Sequence, residues 1–266
     1  GDQYIAGQKE PVIDMPTRFV DFMRVLVPMA GDDTTPEGEQ VNIYGNHVGS
    51  WNFAATAYLN RWKVKIYYEH YFDDHSQMFF QYGRWKDGHI GLEITFPKNR
   101  FIDTFVYEGL GTKDQTGPML YDSFWGEFEE QISAKDNHYL YQGWQHWGMG
   151  IGNPLLPGPI YNKNGQITFI SNRVLAHHIG FCGSPCQSLS YRMLLSYSRH
   201  WGTYDNPLNE IKKQFNSLFE VTYAPQQLKG WSFTVSGAMD RGSILGNNYG
   251  GMLVIRKQGI IKSGNK

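Results

Sequence analysis

Charge is scarce in this chain. Of its 266 residues, 18% are Asp, Glu, Lys or Arg, below the roughly 25% usual for soluble domains. The 24 Lys and Arg nearly cancel the 25 Asp and Glu, so no global field points to nucleic acid or to an acidic partner. Long hydrophobic runs are missing too. The longest, Val25-Leu26-Val27-Pro28-Met29, stops at a proline, far short of the ~20 residues of a membrane-spanning helix. No signal peptide is read within the sequence; Gly1 fits a processed end, a tag scar or a truncation point, and the compartment is left open. The two cysteines, Cys182 and Cys186, cannot build a disulfide framework. Their spacing suits a turn, and a local disulfide or two free thiols fit equally. Two thiols are also half the ligand set of a structural zinc.

Aromatic residues and glycine fill the gap. Aromatics reach 15%, with 17 Tyr, 16 Phe and 8 Trp, beside 30 Gly. This composition suits a β-rich chain with a large surface out of water, and also a soluble β-rich glycan-binding domain. Residues 62–69 set the pattern. Trp62, Val64, Ile66 and Tyr68 alternate with Lys63, Lys65, Tyr67 and Glu69, the period-2 signature of a strand with one apolar and one polar face. The same alternation marks residues 51–59, 90–96, 101–108, 190–201 and 231–240, and the segment that enters at 41 and the stretches 173–182, 218–225 and 252–259 read as strands too. Residues 18–28 fit either a strand or an amphipathic helix, since Phe19, Phe22, Val25 and Leu26 also form a helical stripe. About ten strands result, after an irregular segment at 1–16.

The joins between strands alternate in length. Short ones are expected at 60–61, 97–100, 183–189 and 226–230, long ones at 30–40, 72–88, 109–172, 200–214 and 240–249. The 200–214 join is expected to hold at most a helical turn. Such a rhythm predicts an all-β fold, an antiparallel up-and-down outer-membrane β-barrel forming one domain, with tight turns at one end and long outer loops at the other. The polar face, with Lys63, Lys65, Glu69, Glu93, Thr95, Arg192, Ser196, Ser198, Thr234 and Ser236, would line a watery lumen. Trp51, Trp62, Phe96, Phe101, Trp201, Trp231 and Tyr249 fall near strand ends, where interfacial girdles belong.

Candidate chemistry is thin. Asp73, Asp74 and His75 are consecutive on a loop, and His177 and His178 point to opposite faces of a strand, so neither group has metal-ligand spacing. No P-loop, dinucleotide fingerprint or Gly-x-Ser-x-Gly elbow occurs. Glu127, Glu129 and Glu130 read as a solvated acidic patch rather than a glycosidase pair. No catalytic residue, metal or cofactor is expected. The most suggestive loop is 143–154, where Trp144 and Trp147 offer flat apolar faces beside Gln145 and His146. Sugar rings suit such a surface; pinning the loop to a barrel rim would also use it.

The segments YGNHVGSWNF (44–53), WKVKIYYEHYFDDHSQM (62–78), GLEITFPKNRF (91–101), TKDQTGP (112–118), YQGWQHWGMGIGNPLL (141–156), AHHIG (176–180) and SRHWGTYD (198–205) together resemble the Wzi capsule-assembly family in its Bacteroidetes form. The resemblance covers most of residues 10–257. It implies an outer-membrane barrel that attaches capsular polysaccharide to the cell surface as a lectin, not as an enzyme. Family members are longer and form larger barrels, so the chain resembles their C-terminal part, and it ends in QGIIKSGNK rather than in an aromatic. The partners expected are a capsular or surface polysaccharide and outer-membrane lipid, with the protein acting as a monomer. Glycan contacts are expected from Trp144, Gln145, His146, Trp147, Asp73, Asp74 and His75. A porin or transport channel is the first rival, and a barrel enzyme acting on lipid or glycan the next.

Overall fold

The computed structural model describes residues 17–26, 29, 31–35, 48–72, 80, 86–99, 101–114, 145–150, 153–203 and 206–259. Nine strands join into one antiparallel sheet in which spatial order follows chain order. They are β1 (Gly49–Leu59), β2 (Trp62–Phe72), β3 (Gly88–Thr95), β4 (Thr104–Gly111), β7 (Val174–Cys186), β8 (Leu189–Gly202), β9 (Pro207–Tyr223), β10 (Trp231–Gly242) and β11 (Asn248–Lys257). A separate hairpin, β5 (Gln145–His146) and β6 (Met149–Gly150), interrupts the series. The all-β, up-and-down architecture is therefore as expected. Among the described residues β1 and β11 do not pair with each other, so the sheet is open.

Of the two readings of 18–28, the described residues show a helix, α1 (Phe19–Leu26). Its Asp21 carboxylate accepts from the Arg18 backbone N–H at 3.0 Å and from the Arg18 guanidinium, which satisfies one orphan amide of the first turn. No helix among the described residues is long and apolar enough to cross a membrane, a fact that does not bear on strands.

Register divides the sheet into two unlike faces. One carries Lys63, Lys65, Tyr67, Glu69, His89, Glu93, Glu108, His178, Arg192, Ser196, Ser198, His200, Gln214, Glu220, Thr234 and Ser236, all linked by cross-strand partnership. The other carries Trp51, Phe53, Trp62, Ile66, Ile90, Ile179, Phe219, Val235, Leu253 and Ile255, every one exposed. Burial is inverted relative to a soluble protein. His200 and Gln214 are 1% and 2% exposed, while Val235 and Leu253 are 60% and 64% exposed.

Two details differ from the sequence reading. Residues 207–214 continue β9, pairing with β8 from His200↔Lys212 to Gly202↔Pro207 across a register shift. Proline as the first strand residue gives up no ladder bond, and a charged stretch at a strand end lies on both faces, which hides its alternation. Consequently the joins 203–206 and 243–247 are short, and only 73–87 and 112–173 are long on that end. The tight turn at 60–61 is as expected, with Asn60 left-handed at φ 56°, a conformation Asn tolerates. The 183–189 turn shrinks, since β7 runs to Cys186 through a bulge between Gly183 and Cys186. Both cysteines are free thiols.

A small apolar core sits where the long join returns to the sheet. Leu110, Leu156, Phe169, Val174 and Ala176 are buried together, with Val48, Tyr71 and Leu155 packed against them. Hydrogen bonds pin the return. Thr112 Oγ1 donates to the Asn172 carbonyl and accepts from the Val174 amide, and the Asn172 and Arg173 amides donate to Gly202.

Candidate functional site

The β5–β6 hairpin turns on Trp147 and Gly148, both with positive φ, 53° and 80°. Between the pair His146↔Met149, this is the twist of a two-residue type I′ turn, which favours Asn or Gly at its first centre. A tryptophan there is strained by roughly 1–2 kcal/mol and stands 84% exposed. Local bonds hold the turn: Gly148 N–H donates to Gln145 Oε1 at 2.8 Å, and Ile160 N–H donates to the Gly148 carbonyl at 2.8 Å. The second bond joins the hairpin to a 3-10 turn at Pro159–Tyr161.

Between the hairpin and residues 159–167 lies a groove of about 680 Å³, lined by Gln145, His146, Trp147, Gly148, Pro159, Ile160, Asn162, Gly165, Gln166 and Ile167. Its apolar elements stand in solvent, with Ile160 and Ile167 57% and 65% exposed beside Trp147. His146 meets the Trp147 ring edge-on, centroids 6.0 Å apart. Asn162 shapes the far wall by donating to the Gln166 and Thr168 carbonyls, both at 2.7 Å. Its own Oδ1 is buried without a hydrogen-bond partner among the described residues. A flat ring, two aliphatic side chains and unspent amide groups form a surface that can stack on an apolar disc and bond its polar rim.

Of the residues expected to touch glycan, Gln145, His146 and Trp147 thus meet in one groove. Trp144, Asp73, Asp74 and His75 lie outside the described residues, as does the acidic patch at Glu127, Glu129 and Glu130. Sequence reasoning missed the opposite wall, Ile160, Asn162, Gln166 and Ile167. The Asn-Lys-Asn-Gly run at 162–165 signals a turn, but nothing local says which hairpin it faces.

The residues expected to line a lumen share the polar face. Lys63 and Glu93 pair at 3.5 Å, and Arg192 and Glu220 at 3.1 Å. Lys65 Nζ lies 5.2 Å from the Tyr67 ring centre. Glu69 belongs to a cluster that sequence alone does not show. His89 stands 3.8 Å from Glu69 and 3.5 Å from Glu108, Tyr67 donates its hydroxyl to Glu108, and His178 Nδ1 meets Ser196 Oγ at 2.7 Å. His177 turns to the other face, where its Nδ1 meets Tyr107 Oη at 2.8 Å. Among the described residues no three His, Cys, Asp or Glu side chains are grouped to hold a metal ion.

Ring-bearing residues mark both sheet ends. Trp62 packs on Phe96 (5.0 Å) and Lys257 lies over Trp231 at the end with 60–61, while Trp51 packs on Phe72 (5.9 Å) and Lys113 and Arg199 flank Trp201 at the other. Comparison with family models, with curated proteins and with solved structures finds no match to this chain.

Proposed function

We propose that this protein is an outer-membrane β-barrel, or a section of one, that binds capsular or surface polysaccharide through loops at one end and holds it at the cell surface. It acts by binding and not by catalysis, in the manner of the Wzi capsule-assembly family that its sequence resembles. The inverted sheet supports the membrane half of this reading. An apolar face left open by strands of 8 to 17 residues suits lipid, since a spanning strand needs about 9–11, and the aromatic ends suit interfacial girdles.

The observation that carries the binding half is the Trp147 groove. A tryptophan held in a strained turn and kept 84% exposed gains little from packing beyond the edge of His146, so its position is better explained by a ligand. Pyranose rings offer the matching chemistry, an apolar face with hydroxyls around it. Among the described residues no charged side chain lines the groove, which favours a neutral stretch of glycan.

The test compares Trp147→Ala and a 141–156 deletion with the unaltered protein for capsule retention on cells. Retention should drop roughly tenfold or more in both, while the heat-dependent shift in gel mobility that marks a folded barrel persists. Unchanged retention in both would remove the groove from the function. The polar face with its ion pairs also supports a second reading, a channel. Stepwise conductance in planar bilayers would favour it.

A further inference from the structure

Four cations crowd one place on the apolar face. Register sets Arg199 directly across from Lys213, and Arg241 pairs with Phe215, the next residue of that face along β9, so it lies diagonal to Lys213. Lys113 reaches in from beyond the end of β4. Its Nζ stands 5.3 Å from the Trp201 ring centre, and Arg199 Cζ stands 5.4 Å from the same ring. Tyr197, Phe215 and Phe219 continue this face toward the tight turns. We propose that Lys113, Arg199, Lys213 and Arg241 form a lateral site for the phosphate-bearing headgroup of an outer-leaflet lipid. The inference rests on the membrane reading above and names the lipid chemistry that the outer rim holds.

Three features lead there. The first is sign. Among the described residues none of the four joins an ion pair. Asp87 lies beside Gly111 at the same sheet end, but it is 2% exposed and its carboxylate accepts from the Asp114 amide. Asp240 pairs in register with Asn216 on the polar face and accepts its amide at 2.6 Å. The second is placement. Like charges directly opposite each other destabilise a strand pair, so Arg199 beside Lys213 is unfavourable until an anion sits over both. Phosphate suits that place, because guanidinium and ammonium groups hold it by charge-assisted hydrogen bonds. The third is level. The cluster surrounds Trp201 at the end of the long join, the outer end of a membrane barrel. Tryptophan at a strand end marks the boundary between hydrocarbon and headgroups, where lipid phosphates lie. The glycan groove carries no charged side chain among the described residues, whereas these cations extend the apolar face, which assigns them to lipid.

In the experiment the full chain in neutral detergent is titrated with diphosphoryl lipid A and with the same lipid stripped of its phosphates, bound lipid being counted by native mass spectrometry. The phosphorylated lipid should bind about tenfold more tightly or better. Exchanging all four cations for glutamine should erase that preference. Removing Arg61, Lys98 and Lys229 at the tight turns in the same way should keep it. Lys213→Gln alone gives a reading that survives misfolding of the quadruple variant. In vesicles of neutral phosphatidylcholine its denaturant midpoint should rise above that of the unaltered protein, since the like-charge pair is gone. With lipid A in the vesicles it should fall below. Equal affinity for the two lipids, or equal loss on changing the tight-turn cations, would overturn the site. So would binding of polygalacturonate or inorganic phosphate that needs these cations while lipid A does not, since that assigns them to a soluble anion. A monodisperse chain without detergent would instead remove the membrane reading, and this inference with it.

Discussion

The backbone N–H of Ile160 donates to the carbonyl oxygen of Gly148 at 2.8 Å, and this bond brings two stretches of the long join together as the walls of one groove. A side chain at 148 would spoil it twice. The residue has φ 80°, and an added Cβ would lie 2.9 Å from the Ile160 nitrogen. Gly148→Val should therefore separate the walls, with the left-handed cost of about 1–2 kcal/mol falling on the hairpin. The expected outcome is loss of polysaccharide retention with the sheet intact, checked by retention assays beside heat-modifiable mobility.

The open apolar face allows a sharp choice between lipid and water. Leu253 is 64% exposed, and in a soluble sheet Leu253→Arg would fall within about 0.5 kcal/mol of neutral. Against lipid the same change should cost about 2–4 kcal/mol if the residue lies near the bilayer midplane. Refolding into lipid vesicles with denaturant titration measures the difference. Lys63→Gln on the opposite face breaks only a half-exposed pair with Glu93 and should cost under about 1 kcal/mol.

Tyr67 lies across Gly91, where an added Cβ would sit 2.0 Å from its ring, and that close approach lets its hydroxyl reach Glu108. Tyr67→Phe should cost about 1–3 kcal/mol, because Glu108 loses a charge-assisted bond in a half-buried place. Gly91→Val should do at least as much by displacing the ring. Denaturant midpoints of the two variants, alone and combined, check that both act on the same bond; additive losses would separate them.

Asp87, in the join before β3, is 2% exposed, and burial pushes its carboxyl up to about 6 despite a hydrogen bond from the Asp114 amide. The folded pKa stands above the unfolded one, so this group favours folding fully below about pH 4, and that contribution is lost as pH rises through 6. The change is at most roughly 3 kcal/mol, at about 1.4 per pH unit. Other groups titrate in the same window and cancel in a comparison, so the check is the difference: the stability of the unaltered protein minus that of Asp87→Asn should fall as pH rises from 4 to 7.

Much of the sheet was legible locally. Trp62 to Glu69 alternate without a break, and the structure puts Lys63, Lys65 and Glu69 on one face as that alternation requires. Where alternation fades the reading failed, as at 207–214, where Glu210, Lys212 and Lys213 carry charge to both faces and only pairing with β8 reveals a strand. The candidate site was half legible. Gln145, His146 and Trp147 stood out by residue type, whereas Asn162 and Ile160 have no local mark.

Side-chain period and turn residues are properties of neighbouring positions, so the sequence by itself determined that this chain makes strands and which side of each is apolar. Which residues meet across strands depends on register, and which loop stretches face each other depends on chain closure over long separations. Those were decided only by the tertiary structure: Glu108 opposite His178 and Gly148 bonded to Ile160.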